Sequence, residues 1–270
     1  MLDAANHGLS DSEMASPIDL LLETISCSGS HSRLNVVGWP YNVEMDILLE
    51  DHHLIAVNKP APLMTQAPEG VPSLEAMVKA YIKEKYAKPA GVYLGIPHRL
   101  DRPVSGAVVF CRNTKAAARV AEQFQMHKVT KVYWALVEGL VADEAGEWRD
   151  HLLKVANEAR SEVVPPETEG AKDSITLFRV LRRDADATLL ELTPKTGRMH
   201  QLRVQAAKRG HPVMGDELYG STRLFGPSGE LSRDRVIGLH ARTLKFEHPF
   251  RGAAVAVEAA LPEYWGFQGV

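Results

Sequence analysis

The chain has 270 residues, enough for one large domain or two small ones whose core needs neither disulfides nor metals. Its 45% apolar and 24% charged residues exclude disordered, collagenous and disulfide-scaffold classes, and no apolar run reaches the roughly 18 to 20 residues of a membrane span. The net charge of −3 is unevenly divided: residues 1–51 carry −8, residues 94–133 carry +5, and residues 195–211 add five basic side chains and no acid.

Residues 1–45 mix Ser, Gly, Asn and acids around one apolar cluster, 18–22, and read as an acidic, partly disordered leader with one docked helix. Strands are expected at 47–49 and 54–57, the second stopping where Pro60 interrupts the ladder. Ser73 can cap a helix over 74–85. After a loop bounded by Pro97 and Pro103 comes a strand at 107–111. Asn113 then caps a helix in which Ala117, Val120, Ala121 and Phe124 recur at helical spacing. Further strands are expected at 129–137, 175–181, 188–192, 236–246 and 254–259. A helix opens at Gly197, runs to Arg209 and stops at Gly210 and Pro212. Strands outnumber helices and mostly follow one another directly, which points to an α+β fold with a largely antiparallel or mixed sheet. The chain divides into the leader, 1–45, and one domain over 46–270.

Familiar chemistries can be tested by spacing. There is no G-x-x-x-x-G-K-[ST] or G-x-G-x-x-G loop to cradle phosphates and no H-E-x-x-H pair for zinc. The two cysteines, Cys27 and Cys111, form no C-x-x-C pair, which suits a reducing cytoplasm. What remains is Asp101, set between Arg99 and Arg102 just before Ser105, Gly106 and an apolar strand. Guanidiniums on both sides favour an ionised carboxylate, suited to a nucleophile or electrostatic stabiliser rather than a general acid. If the two basic segments meet in the fold, they would offer a polyanion a groove of ten positive charges.

The run from His98 to Gly106, H-R-L-D-R-P-V-S-G, resembles the H-R-L-D-x-x-T-S-G signature of the RluA-type pseudouridine synthases. The run Thr196 to Arg203, T-G-R-M-H-Q-L-R, is similar to the family's T-G-R-x-H-Q-[IL]-R. Gly210 to Asp216 with Tyr219 and Gly220 follow as its G-H-P-I-x-G-D-x-x-Y-G. Asn58-Lys59-Pro60, Lys131 to Ala135 with Gly139, and Leu239-His240-Ala241 before His248-Pro249 extend the match from about residue 46 to residue 262.

The resemblance implies the pseudouridine synthase fold, a long mixed, mainly antiparallel sheet with flanking helices and a central active-site cleft. It implies an enzyme that isomerises chosen uridines in ribosomal or transfer RNA without metal or organic cofactor, with no membrane and no obligatory protein partner. Asp101 takes the place of the catalytic aspartate, Tyr133 of the active-site tyrosine, and Arg203 of the basic residue paired with the aspartate. Arg99 takes that of the arginine which, in relatives, fills the helix when a base is flipped out. The remaining RNA contacts are expected from Arg102, Lys195, Arg198, His200 and Lys59, with Arg198 on phosphate or on loop carbonyls. Tyr133 can stack on uracil, and its phenol is expected to take the carbon 5 proton directly or through water. Val104 stands where the commonest signature has threonine. The acidic leader does not resemble the basic RNA-binding module of many relatives. A catalytically idle RNA-binding or chaperone protein is the alternative from another class, and the intact Asp101, Tyr133 and Arg203 set argues against it.

Overall fold

The structure is a computed structural model, and it describes residues 33–35, 44–227 and 234–266. The strands are β1 (Arg33–Asn35), β2 (Glu44–Glu50), β3 (Leu54–Lys59), β4 (Ser105–Cys111), β5 (Thr130–Glu138), β6 (Ala145–Lys154), β7 (Ser161–Val164), β8 (Lys172–Asp184), β9 (Ala187–Pro194), β10 (Leu239–Glu247) and β11 (Ala254–Glu258). The helices are α1 (Leu74–Lys85), α2 (Thr114–Gln125) and α3 (Gln201–Lys208). All the strands join one sheet in the order β1-β2-β3-β4-β10-β5-β9-β8-β6-β7, with β11 also paired to β10. The long mixed sheet expected from the sequence is present, and among the described strands its only parallel pair is β4 with β10. That pair has just two register partners, His240 with Ser105 and Ala241 with Gly106, so the two halves meet along a short seam.

Alternation builds a core on each side of the sheet. Ile55, Val57, Val108 and Phe110 belong to one apolar cluster with Leu74, Met77 and Ile82 of α1 and Leu202 and Ala206 of α3. Leu54, Ala56, Val109 and Cys111 point to the opposite face, where Ala116 and Val120 of α2 meet Leu244 and Phe246 of β10. Ser73 and Asn113 cap α1 and α2 as their sequences predict, each side chain accepting an N–H three residues on. No described helix is long and apolar enough to cross a membrane.

Three elements of the domain differ from expectation. α3 begins at Gln201, not Gly197, because Gln201 Oε1 accepts both the Arg198 N–H (3.0 Å) and the Thr196 hydroxyl (2.8 Å) and holds residues 196–200 in a turn. Its far end closes as predicted. Gly210, at φ 81°, donates to Ala207 O while His211 donates to Ala206 O, the paired bonds of a glycine-terminated helix. β6 and β7 were not anticipated. Along β6 only Trp148 and Leu152 are buried, a spacing of four that hides the period of a strand. Of the leader only Arg33–Asn35, which pair with β2, and residues 44 and 45 of β2 itself are described; the helix expected in it lies outside the described residues.

Candidate active site

Asp101 sits in the loop entering β4 at the seam, and backbone bonds hold it on both sides. The Thr65 hydroxyl donates to Leu100 O (2.9 Å) and accepts the Leu100 N–H (3.1 Å). Leu63 N–H donates to Arg102 O (3.1 Å), Val104 N–H to Asp101 O (3.2 Å) and Ile237 N–H to Pro103 O (3.2 Å). At Gly106, with φ 119°, a Cβ would lie 2.4 Å from Ala241 O, so only glycine lets β4 pass this close to β10. Val104 is buried in the apolar cluster, where it asks for no hydroxyl partner.

Lys59 corrects the sequence reading. It was expected on RNA, yet it is fully buried, its ammonium donating to the carbonyls of Pro60, Leu63 and Arg102. Burial pushes it down to about 7, against the pull of the Asp101 carboxylate and with a smaller push from Arg102. Its role is to tie the end of β3 to the loop carrying Asp101.

Arg203 reaches Asp101 from α3, Nη1 to Oδ2 at 3.3 Å, which brings together two residues predicted from motifs far apart in the chain. The stronger bonds go elsewhere: Nε and Nη2 clasp Asp216 Oδ2 and Oδ1 at 2.6 and 2.7 Å, and both partners are buried. Asp216 thus fixes the guanidinium that touches Asp101. The sequence contained the signal, since Asp216 stands in the G-H-P motif, but charge patterning cannot say which carboxylate a buried arginine clasps. α3 is held by buried amides: Gln201 Nε2 donates to Ile175 O and Thr176 Oγ1, and Gln205 Nε2 donates to Trp148 O, Ser174 O and Asp150 Oδ2.

Tyr133 lies on β5, half-buried against the apolar cluster. Burial first, and the Asp101 carboxylate second, push its phenol well above the ordinary range. At neutral pH it is protonated, which suits stacking and hydrogen donation and disfavours the base role expected from the sequence. Lys131, two residues earlier on the same strand face, donates to Thr196 O at 3.4 Å. It belongs to the Lys131–Ala135 motif.

Arg99 and Lys195 are exposed, and Arg102 is half-buried. Arg198 is tied by Nε to Asp173 O at 3.1 Å, the carbonyl alternative. It precedes α3 rather than lying on it. His200, expected on RNA, turns inward with its side chain only 9% exposed and its Nε2 3.5 Å from Asp101 Oδ2. The basic segments do meet here, through Asp101–Arg203 and Lys131–Thr196. The groove is narrower than ten charges: Arg209 pairs with Asp150, Arg112 with Glu50, and Arg119 donates to Pro249 O.

Comparison with known proteins agrees with this architecture. A family model for RNA pseudouridylate synthases matches residues 53–208. tRNA pseudouridine synthase C of Vibrio parahaemolyticus is 30% identical over 237 residues, covering 83% of this chain and 93% of the relative. The dual-specificity RNA pseudouridine synthase RluA of Vibrio vulnificus is 34% identical over 218 residues, covering 76% and 78%. Among solved structures, human RNA pseudouridylate synthase domain containing 1 matches with a TM-score of 0.63 at 26% identity, covering 81% of this chain and 84% of that one. The chain therefore belongs to the RNA pseudouridylate synthase family. Within it the chain is of the RluA type, an isomerase acting on RNA.

Proposed function

We propose that residues 46–270 form a catalytic domain that converts uridines of structured transfer or ribosomal RNA to pseudouridine in the cytoplasm, with Asp101 as nucleophile. The observation that carries this reading is the Asp101 carboxylate, one-third exposed at the seam and gripped by a buried arginine. In the reaction the bond from ribose carbon 1′ to uracil nitrogen 1 breaks, the base turns while bound, and carbon 1′ joins carbon 5. The carbon 5 proton leaves and nitrogen 1 gains one, so atoms balance without oxidant or reductant. Tyr133 walls the pocket and keeps the freed uracil stacked. Arg203 holds the carboxylate in place. A duplex-buried uridine must first be flipped out at a cost of a few kcal/mol, and exposed Arg99 beside Asp101 is placed to fill the gap. Arg102 and exposed Lys195 line the approach to phosphates, while Arg198 stays on the Asp173 carbonyl. One relative is named for transfer RNA and the other as a dual-specificity RNA synthase, which supports structured RNA, transfer RNA among it, as the substrate.

The test is pseudouridine mapping of total RNA from cells with and without the gene. Loss of modification at one or more uridines of transfer or ribosomal RNA, restored by the wild-type gene and not by an Asp101→Asn copy, is expected. An unchanged map would contradict the proposal.

A further inference from the structure

His200 is the residue before α3, and its backbone lies in the left-handed region, φ 53° and ψ 21°. A non-glycine residue is strained there, so its side chain must gain from the position. Nδ1 lies 2.9 Å from the Tyr219 hydroxyl oxygen, which itself accepts the Ser161 N–H at 2.9 Å. With that acceptor site filled, the phenol proton has the imidazole Nδ1 as its partner, and the ring proton falls on Nε2. Nε2 is the nitrogen 3.5 Å from Asp101 Oδ2, longer than a formed hydrogen bond and of a kind that closes around substrate. Arg203 Nη1 meets the same Oδ2, and its guanidinium also lies 5.1 Å from the Tyr219 ring centre. No residue among those described bonds Asp101 Oδ1.

We propose that His200 is a positioning residue for the carboxylate: Tyr219 fixes its proton on Nε2, and Nε2–H together with Arg203 holds Oδ2, leaving Oδ1 to face the uridine. The idea rests on Asp101 being the catalytic carboxylate. Burial holds the imidazole below its usual range. Asp101 and Asp216 pull it back up while Arg203 and Arg99 push it down, so the ring works as a neutral donor. Tyr219, the remaining titratable neighbour, is itself pushed upward by burial and stays protonated.

Two kinds of measurement test this. Nitrogen-15 shifts of the His200 ring in the full chain without RNA should report the Nε2–H form, and Tyr219→Phe should move the proton wholly or partly to Nδ1. A wild-type ring already protonated on Nδ1 would overturn the proposal whether or not the enzyme acts on uridine. Turnover is then read on a transcript carrying the uridine found by mapping. His200→Gln places an N–H near the position of Nε2, whereas His200→Asn reaches only as far as Nδ1 and tolerates the left-handed backbone better. Gln should therefore keep about tenfold more kcat than Asn or Ala, with KM within about twofold of wild type for all three. Asn outperforming Gln would mark a purely backbone role, and losses in KM would return His200 to RNA contact; either overturns the proposal. If Asp101→Asn retains full turnover, it is the assignment of Asp101 that has failed, and the ring shifts still report on His200.

Discussion

Asp216 clasps two of the three guanidinium nitrogens of Arg203, so the contact with Asp101 is made by a side chain already locked in a buried pair. A lysine at this position has one ammonium and cannot span both carboxylates. Arg203→Lys is expected to lower kcat by about 10- to 100-fold with KM little changed, and to lower stability by about 2 kcal/mol because Asp216 is left buried with half a partner. Steady-state kinetics and urea unfolding check both; unchanged stability with a raised KM would show that Arg203 contacts RNA instead. At this scale two sequence motifs far apart in the chain supplied Asp101 and Arg203, which the fold brings to 3.3 Å, because a linear signature carries residue identity well. Sequence misplaces Lys59 because lysine is almost always a surface residue. Only the three carbonyls converging on its ammonium show that it is structural.

Between elements, the β4–β10 seam is where the two halves are joined and where stability depends on pH. His240 is fully buried there, its Nε2–H donating to Ala259 O at 3.1 Å and its Nδ1 accepting the Ser105 hydroxyl at 2.8 Å. Burial lowers it to about 4, opposed by the Ala259 carbonyl and helped slightly by Arg242. The unfolded side chain, with an ordinary value of 6.5, binds a proton between pH 6.5 and 4 that the folded one refuses. Stability linked to His240 is therefore complete above pH 6.5 and is lost as pH falls toward 4. His98, half-buried with Nε2 accepting the Val109 N–H and lowered by desolvation to about 3, adds to the same trend. His240→Gln should cost about 1–2 kcal/mol at pH 7 and flatten the acid limb, read from urea midpoints at several pH values. Identical slopes in wild type and variant would refute the assignment. The helix and strand periods made α1, α2, β3 and β4 legible in the sequence. α3 buries Gln201, Arg203 and Gln205 alongside Leu202, Val204 and Ala206, so polar residues break the apolar period and periodicity could not mark its first turn.

For the molecule as a whole, charge in the sequence showed which segments converge but overstated what they present, because folding commits Arg112, Arg203 and Arg209 to carboxylates. RNA binding is still expected to weaken with salt. Replacing exposed Arg99 and Lys195 together by Gln should reduce the slope of log affinity against log salt by about 1 to 2 without altering the urea midpoint. Affinity that is indifferent to salt between about 50 and 200 mM would contradict a phosphate-lined approach. The most direct test of the whole account is release of tritium from RNA labelled at uracil carbon 5, followed for the purified wild-type chain and for Asp101→Asn at equal concentration. Carbon 5 loses its hydrogen only if it becomes the glycosidic carbon. The account predicts steady release by wild type and none above background from a folded, RNA-binding Asp101→Asn; matched release by the two proteins, or none by wild type on any transfer or ribosomal RNA, would contradict it.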